Sequence, residues 1–153
     1  MYDAVLFDLF GTLVDDEANA IEGADACTRA MDRGRWAIVT SCGRRFAERL
    51  IAHAGLPLPP VLVTADDVAR NKPAPDGYLY AASQLGVVPE RALVVEDSLQ
   101  GIAAARQAGM DVVAVLRGRP AGFATAATYV IKRLTDLDLH RTPDGGAATD
   151  WSL

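Results

Sequence analysis

Long apolar runs are missing from this chain, and so is any excess of positive charge. No stretch approaches the roughly 18 consecutive apolar residues that span a bilayer, and the N-terminus lacks the basic-then-apolar layout of a secretory leader. The expectation is a soluble, cytoplasmic protein with no membrane partner. With 15 lysines and arginines against 20 acids, the formal net charge is −5, and the arginines are scattered, so there is no footprint for nucleic acid. Only two cysteines occur, Cys27 and Cys42, in no metal-ligand spacing; a reducing compartment keeps them as thiols, Cys27 in the core and Cys42 packed near a turn. The two histidines, His53 and His140, have no evident partner and read as structural or exposed. Internal repeats, low-complexity segments and a glycine-rich dinucleotide fingerprint are absent as well.

What is present is apolar residue in short pieces. At 153 residues and 50% apolar composition, the chain can close one compact core and is too short for two comfortable domains. Ala4-Val-Leu-Phe-Asp8 is an apolar run of strand length that ends in a carboxylate, and Gly11-Thr12 turns the chain after it. Apolar periodicity predicts one helix over 16–32, ended by Gly34, then a strand over 36–40 with Ser41-Cys42-Gly43 as a turn. A helix over 44–54 closes at Gly55, and a strand over 61–64 follows the prolines of 57–60. Asn71-Lys-Pro-Ala-Pro75 is a loop, because two prolines in three residues bar both helix and strand pairing. A helix over 76–85 ends at Gly86, a strand over 92–95 runs into Glu96-Asp97, and Ser98 caps a helix over 99–108. Strands over 112–115 and 129–131 complete the core, taken as 1–141, and the turn-rich tail over 142–153 is expected to be flexible.

Strands alternating with three-turn helices predict a Rossmann-like, three-layer α/β/α sandwich with a mostly parallel sheet of about five or six strands. Asp8, Thr40 and Glu96-Asp97 then stand on the carboxyl tips of three strands, where open α/β sheets do chemistry if those strands adjoin a topological switch point. Alone, each has a plainer reading: Asp8 opens a turn, Thr40 finishes a strand, Lys72 is a solvated loop residue, and Glu96-Asp97 cap a helix. Their joint occurrence favours a phosphoryl-binding site.

Four motifs in order, Asp8-Leu-Phe-Gly-Thr12, Ile38-Val-Thr-Ser41, Lys72-Pro-Ala-Pro75 and Val94-Val-Glu-Asp-Ser-Leu-Gln-Gly101, resemble those of the haloacid dehalogenase superfamily, closest to its sugar-phosphate phosphatase and β-phosphoglucomutase branch. The resemblance implies a phosphomonoester hydrolase with Asp8 as the nucleophile that becomes an aspartyl phosphate. It implies Mg²⁺ held by the carboxylates of Asp8 and Asp97 and the main-chain carbonyl of Phe10, with Glu96 nearby through water. Lys72 would neutralise nucleophile and substrate, while Thr40 and the backbone N–H of Ser41 cradle the phosphoryl oxygens of a small phosphorylated substrate. Arg44, Arg45, Arg117 and Arg119 could reach the mouth, although each reads first as a surface charge.

Two departures from the family pattern bear on function. The residue two after the nucleophile, normally an aspartate that protonates the leaving oxygen, is Phe10, and positioned acid–base help is worth about 10²–10⁴ in rate. The helical cap that related branches insert between the first two motifs has no room between Asp8 and Thr40. The site is therefore expected to be open, with a bulky substrate or a neighbouring copy in a homo-oligomer as its wall. Two alternatives remain beside impaired hydrolysis: an inactive relative that binds a phospho-ligand or a protein, and a 2-haloacid dehalogenase, whose branch carries an aromatic at the Phe10 position.

Overall fold

The structure, a computed structural model, describes residues 2–31, 34–141 and 151–152, with backbone only at 140–141 and 151–152. Six parallel strands form one sheet in the order β3-β2-β1-β4-β5-β6. These are β1 (Ala4–Asp8), β2 (Arg35–Val39), β3 (Val61–Val63), β4 (Ala92–Glu96), β5 (Asp111–Val115) and β6 (Tyr129–Ile131). From the central β1 the chain winds outward through β2 and β3. It then crosses back to β4 on the other side of β1, which makes the carboxyl end of β1 the switch point expected from the strand tips.

Alternation along each strand divides the interior into two cores. Val5 and Phe7 of β1, Trp36 and Ile38 of β2, and Leu93 and Val95 of β4 pack on one face, against α1 (Ala24–Ala30) and α2 (Arg44–His53). Ala4, Leu6, Ala37, Val39, Ala92 and Val94 pack on the other, against α3 (Asp76–Leu85) and α4 (Leu99–Gln107). Strands buried on both faces read as unbroken apolar runs, which is why they were visible in the sequence. The three-layer sandwich is the predicted one.

One predicted element differs. The helix expected over 16–32 begins only at Ala24, behind Gly23 at φ 94°. Three competing interactions keep 16–23 out of the helix. The Asp15 carboxylate accepts from the backbone N–H of Glu17 and of Asn19, both at 2.9 Å, as Asp does where it outcompetes helical bonding. Ala18 takes the left-handed conformation, φ 64°, and the Ile21 amide donates back to the Leu13 carbonyl at 2.8 Å. Among the described residues, the connection from β1 to β2 therefore holds one seven-residue helix and no cap. A short antiparallel pair, β7 (His140–Arg141) with β8 (Trp151–Ser152), closes the described chain. The tail expected to be flexible, apart from 151–152, and the His140 side chain lie outside the described residues. No helix among the described residues is long and apolar enough to cross a membrane.

Candidate active site

Strand parity aims the site. Phe7 of β1 pairs with Val95 of β4, so the next residues, Asp8 and Glu96, stand side by side. By alternation both belong to the face covered by α3 and α4, and the loop leading into α3 carries Lys72 to them. The Lys72 ammonium donates to Asp8 Oδ1 at 2.7 Å, to Glu96 Oε1 at 2.7 Å and to the Val39 carbonyl at 2.9 Å. One cation thus ties together the tips of β1, β2 and β4.

The Glu96 carboxylate is wholly buried. Its Oε1 also accepts from the Tyr78 hydroxyl at 2.7 Å, and its Oε2 from the backbone N–H groups of Asp97 and Ser98 and from the Ser98 hydroxyl. Five donors to one carboxylate meet the desolvation cost of burying it. Ser98, as predicted, caps α4, accepting from the Gly101 amide at 3.0 Å. Thr12 lies between the other two acids, its hydroxyl 3.1 Å from Asp8 Oδ2 and 3.2 Å from Asp97 Oδ1. A Cβ on Gly101 would collide with the Glu96 carboxylate, and one on Gly11 with that of Asp97, so the tightness of the floor demands glycine at both places.

Burial and charge shift these groups. Burial raises the Asp8 carboxyl from 3.8 to about 6, with Lys72 opposing the rise. Burial also raises Glu96, reinforced by the Asp8 charge and opposed by Lys72. For Lys72, burial works downward, yet the charges of Asp8 and Glu96 prevail and hold it at about 12. Burial and the Glu96 charge push Tyr78 well above its ordinary value, so it stays a hydrogen-bond donor.

Carboxylate oxygens of Asp8, Glu96 and Asp97 all lie within 4.8 Å of one another. Three acids face one fully engaged ammonium, with the Arg119 guanidinium 3.7 Å from Asp97 Oδ2. This excess of negative oxygen in a partly dehydrated place fits a hard divalent cation. Glu96 accepts from five donors, whereas Asp8 has only Lys72 and a share of the Thr12 hydroxyl, and Asp97 the rest of that share with Arg119 at 3.7 Å. Asp8 and Asp97 thus keep the greater capacity to ligate, and Glu96 suits a place one step removed.

Above the floor lies an open cavity of about 720 Å³, lined by Asp8, Phe10, Asp16, Thr40, Ser41, Cys42, Phe46, Lys72, Ser98 and Gln100. The structure thus brings together every residue named from the sequence motifs: Asp8, Phe10, Thr40, Ser41 and Lys72 in the lining, Glu96 and Asp97 beneath it. The Thr40 hydroxyl sits 3.1 Å from Cys42 Sγ. Of the four arginines, Arg119 is drawn to Asp97 and stacks over Phe123 at 4.1 Å, and Arg117 donates to the Gly11 carbonyl at 3.0 Å. Arg44 instead binds Asp67 at 2.8 Å and the Leu62 carbonyl, and His53 is exposed at the end of α2. Cys27 is half-buried, its thiol pushed up to about 11 by burial.

Sequence reasoning missed Thr12, Tyr78 and Phe46. Thr12 stood inside the first motif and could have been found there. Tyr78 and Phe46 carry no motif signal, since their roles depend on where two helices dock. A smaller cavity, about 420 Å³ at the amino end of the sheet between Trp36 and the prolines of 57–60, holds no acidic cluster.

Comparison with known proteins converges on one family. The model of haloacid dehalogenase-like hydrolases matches residues 19–109. Hexitol phosphatase A of Escherichia coli (strain K12) is 36% identical over 128 residues, covering 82% of this chain and 59% of that protein. A HAD family hydrolase from Deinococcus radiodurans R1, solved with bound phosphate and sodium, superposes with a TM-score of 0.79 at 26% identity, covering 88% of this chain and 93% of that one. CbbY from Rhodobacter sphaeroides, solved with phosphate, shares the fold at a TM-score of 0.77 and 22% identity, covering 90% and 96% of the two chains. The chain spans about half the length of the curated relatives it matches.

Proposed function

Because the chain belongs to the haloacid dehalogenase-like hydrolases, we propose that it hydrolyses phosphomonoesters of small molecules through an aspartyl phosphate on Asp8, with Mg²⁺. The observation that carries this is the Asp8 carboxylate, fixed 2.7 Å from the Lys72 ammonium at the floor of an open cavity.

Asp8 attacks phosphorus, a new bond from its oxygen to phosphorus forms, and the ester oxygen leaves with the electron pair of the broken bond. Lys72 offsets the repulsion between two anions and keeps Asp8 ionised near neutrality. The Thr40 hydroxyl and the Ser41 backbone N–H steady the phosphoryl oxygens. Water then cleaves the acyl phosphate, releasing inorganic phosphate and restoring the carboxylate. Asp8, Asp97 and the main-chain carbonyl of Phe10 would hold the Mg²⁺, with Glu96 fixing the arrangement behind them. When bound, the ion supplies positive charge to the phosphoryl group. Phe10 has no proton to give, so the leaving oxygen departs without positioned help.

Dehalogenation is not favoured: the acidic cluster suits metal-assisted chemistry, and hexitol phosphatase A is among the relatives. The test is phosphate release from an aryl phosphate, with and without Mg²⁺. Asp8→Asn is expected to lower it at least ~10³-fold, and equal rates for the two proteins overturn the reading. Phosphate binding without any turnover would leave a phospho-ligand-binding relative, the second reading, which Phe10 favours.

A further inference from the structure

We propose that the esters admitted to this cavity carry a flat aromatic body whose ring lies against Phe10 and Phe46 and whose oxygen leaves as an aryloxide. The inference rests on the hydrolase reading above and narrows its substrate to aryl phosphates. Two observations meet in it, one of surface and one of leaving-group chemistry.

The first is the surface. Phe10 is 50% exposed and Phe46 is 55% exposed, and both line the cavity that has Asp8 and Lys72 at its floor. They come from different elements, the turn after β1 and the first turn of α2, so one stray amphipathic face does not account for both. Thr40, Ser41, Lys72 and Asp8 occupy the floor, where the phosphoryl group belongs. A ring held above that floor meets two phenyl faces or edges, the contact aromatic pairs prefer.

The second is leaving-group chemistry. With phenylalanine where a proton donor would stand, departure depends on how basic the leaving oxygen is. A phenolic oxygen has a pKa of ~10, whereas an alkoxide, like hydroxide from bulk water, is far more basic and leaves far less readily. In the first step the bond between phosphorus and the aryl oxygen breaks, its electron pair stays on that oxygen, and the aryloxide takes a proton from solvent outside the cavity. In the second, water hydrolyses the Asp8 acyl phosphate. The sum is ester plus water giving phenol plus hydrogen phosphate, with no other reactant.

The test separates binding from turnover. Calorimetry in Mg²⁺ with inorganic phosphate, methylphosphonate, cyclohexylphosphonate and phenylphosphonate is expected to rank phenyl about 5–10-fold tighter than cyclohexyl. Phe46→Ala is expected to erase that preference. Wild-type turnover of phenyl phosphate should exceed that of an alkyl phosphate at least ~10²-fold, and Phe10→Asp should narrow the gap. Equal affinity for phenyl and cyclohexyl, or equal turnover of aryl and alkyl esters, overturns the proposal; in the latter case Asp16, which shares the lining, would be the proton source. Phosphate release from phenyl phosphate that is absent, or unchanged in Asp8→Asn, overturns the hydrolase reading instead, while the phenyl-over-cyclohexyl ranking still tests the aromatic wall, so the two failures are told apart.

Discussion

The floor and the rim of the cavity invert the usual partition of side chains. Asp8, Lys72 and Glu96 are charged and buried, while Phe10 and Phe46 are apolar and exposed. In the floor each charge is hydrogen-bonded from several elements at once, so its geometry is over-determined. At the rim the two phenyl side chains are about half exposed and line the cavity. The difference teaches that the floor stores organisation and the rim stores unspent contact area: changes below should cost folding, and changes above should cost binding alone.

The largest break in that comparison is Lys72→Met. It leaves two buried carboxylates without their shared cation, and removing one partner of a buried pair costs about 3–5 kcal/mol. Chemical denaturation is expected to show a loss of that size, and a loss below ~1 kcal/mol would mean that water reaches the floor freely. Next comes Gly101→Ala, whose methyl would meet the Glu96 carboxylate. Overpacking of this kind costs about 1–3 kcal/mol, read as a lowered midpoint with an unchanged denaturant slope.

Third is acidity. The Asp8 carboxyl, raised from 3.8 to about 6 by burial, binds its proton more tightly folded than unfolded. Its contribution to stability is therefore full below its unfolded value and lost as pH rises through about 6. Under the proposed coordination by Asp8, cation binding needs the ionised form, so Mg²⁺ affinity by calorimetry is expected to fall about tenfold per pH unit below 6, with protons released on binding. A flat profile between pH 5 and 7 would place the ion elsewhere. The smallest effect sharpens the contrast: Phe46→Ala, at the rim, should change stability by no more than ~0.5 kcal/mol, a thermal-melt difference near the limit of detection.

Much of the fold was legible because local signals agreed with the tertiary outcome. Gly86 ends α3 at φ 69° and Ser98 caps α4, both as the residues demand. The segment 16–23 was not legible, since apolar spacing there is helical while the Asp15 side chain and the Leu13 carbonyl claim the amides a helix would need. The strand-tip acids and Lys72 could be read from motif order. Tyr78 could not, for an aromatic at helical spacing means core in most contexts, and here it is both core and the donor that fixes Glu96.

The three partners of the Lys72 ammonium lie on both sides of the fold's midline: Val39 and Asp8 in the half wound first, Glu96 in the half wound second. The first half supplies the ammonium and two of its acceptors, and only β4 brings the third. The full set of acceptors, with Asp8 and Glu96 side by side on one cation, exists only where β4 lies against β1, so the geometry of the floor belongs to the completed sheet.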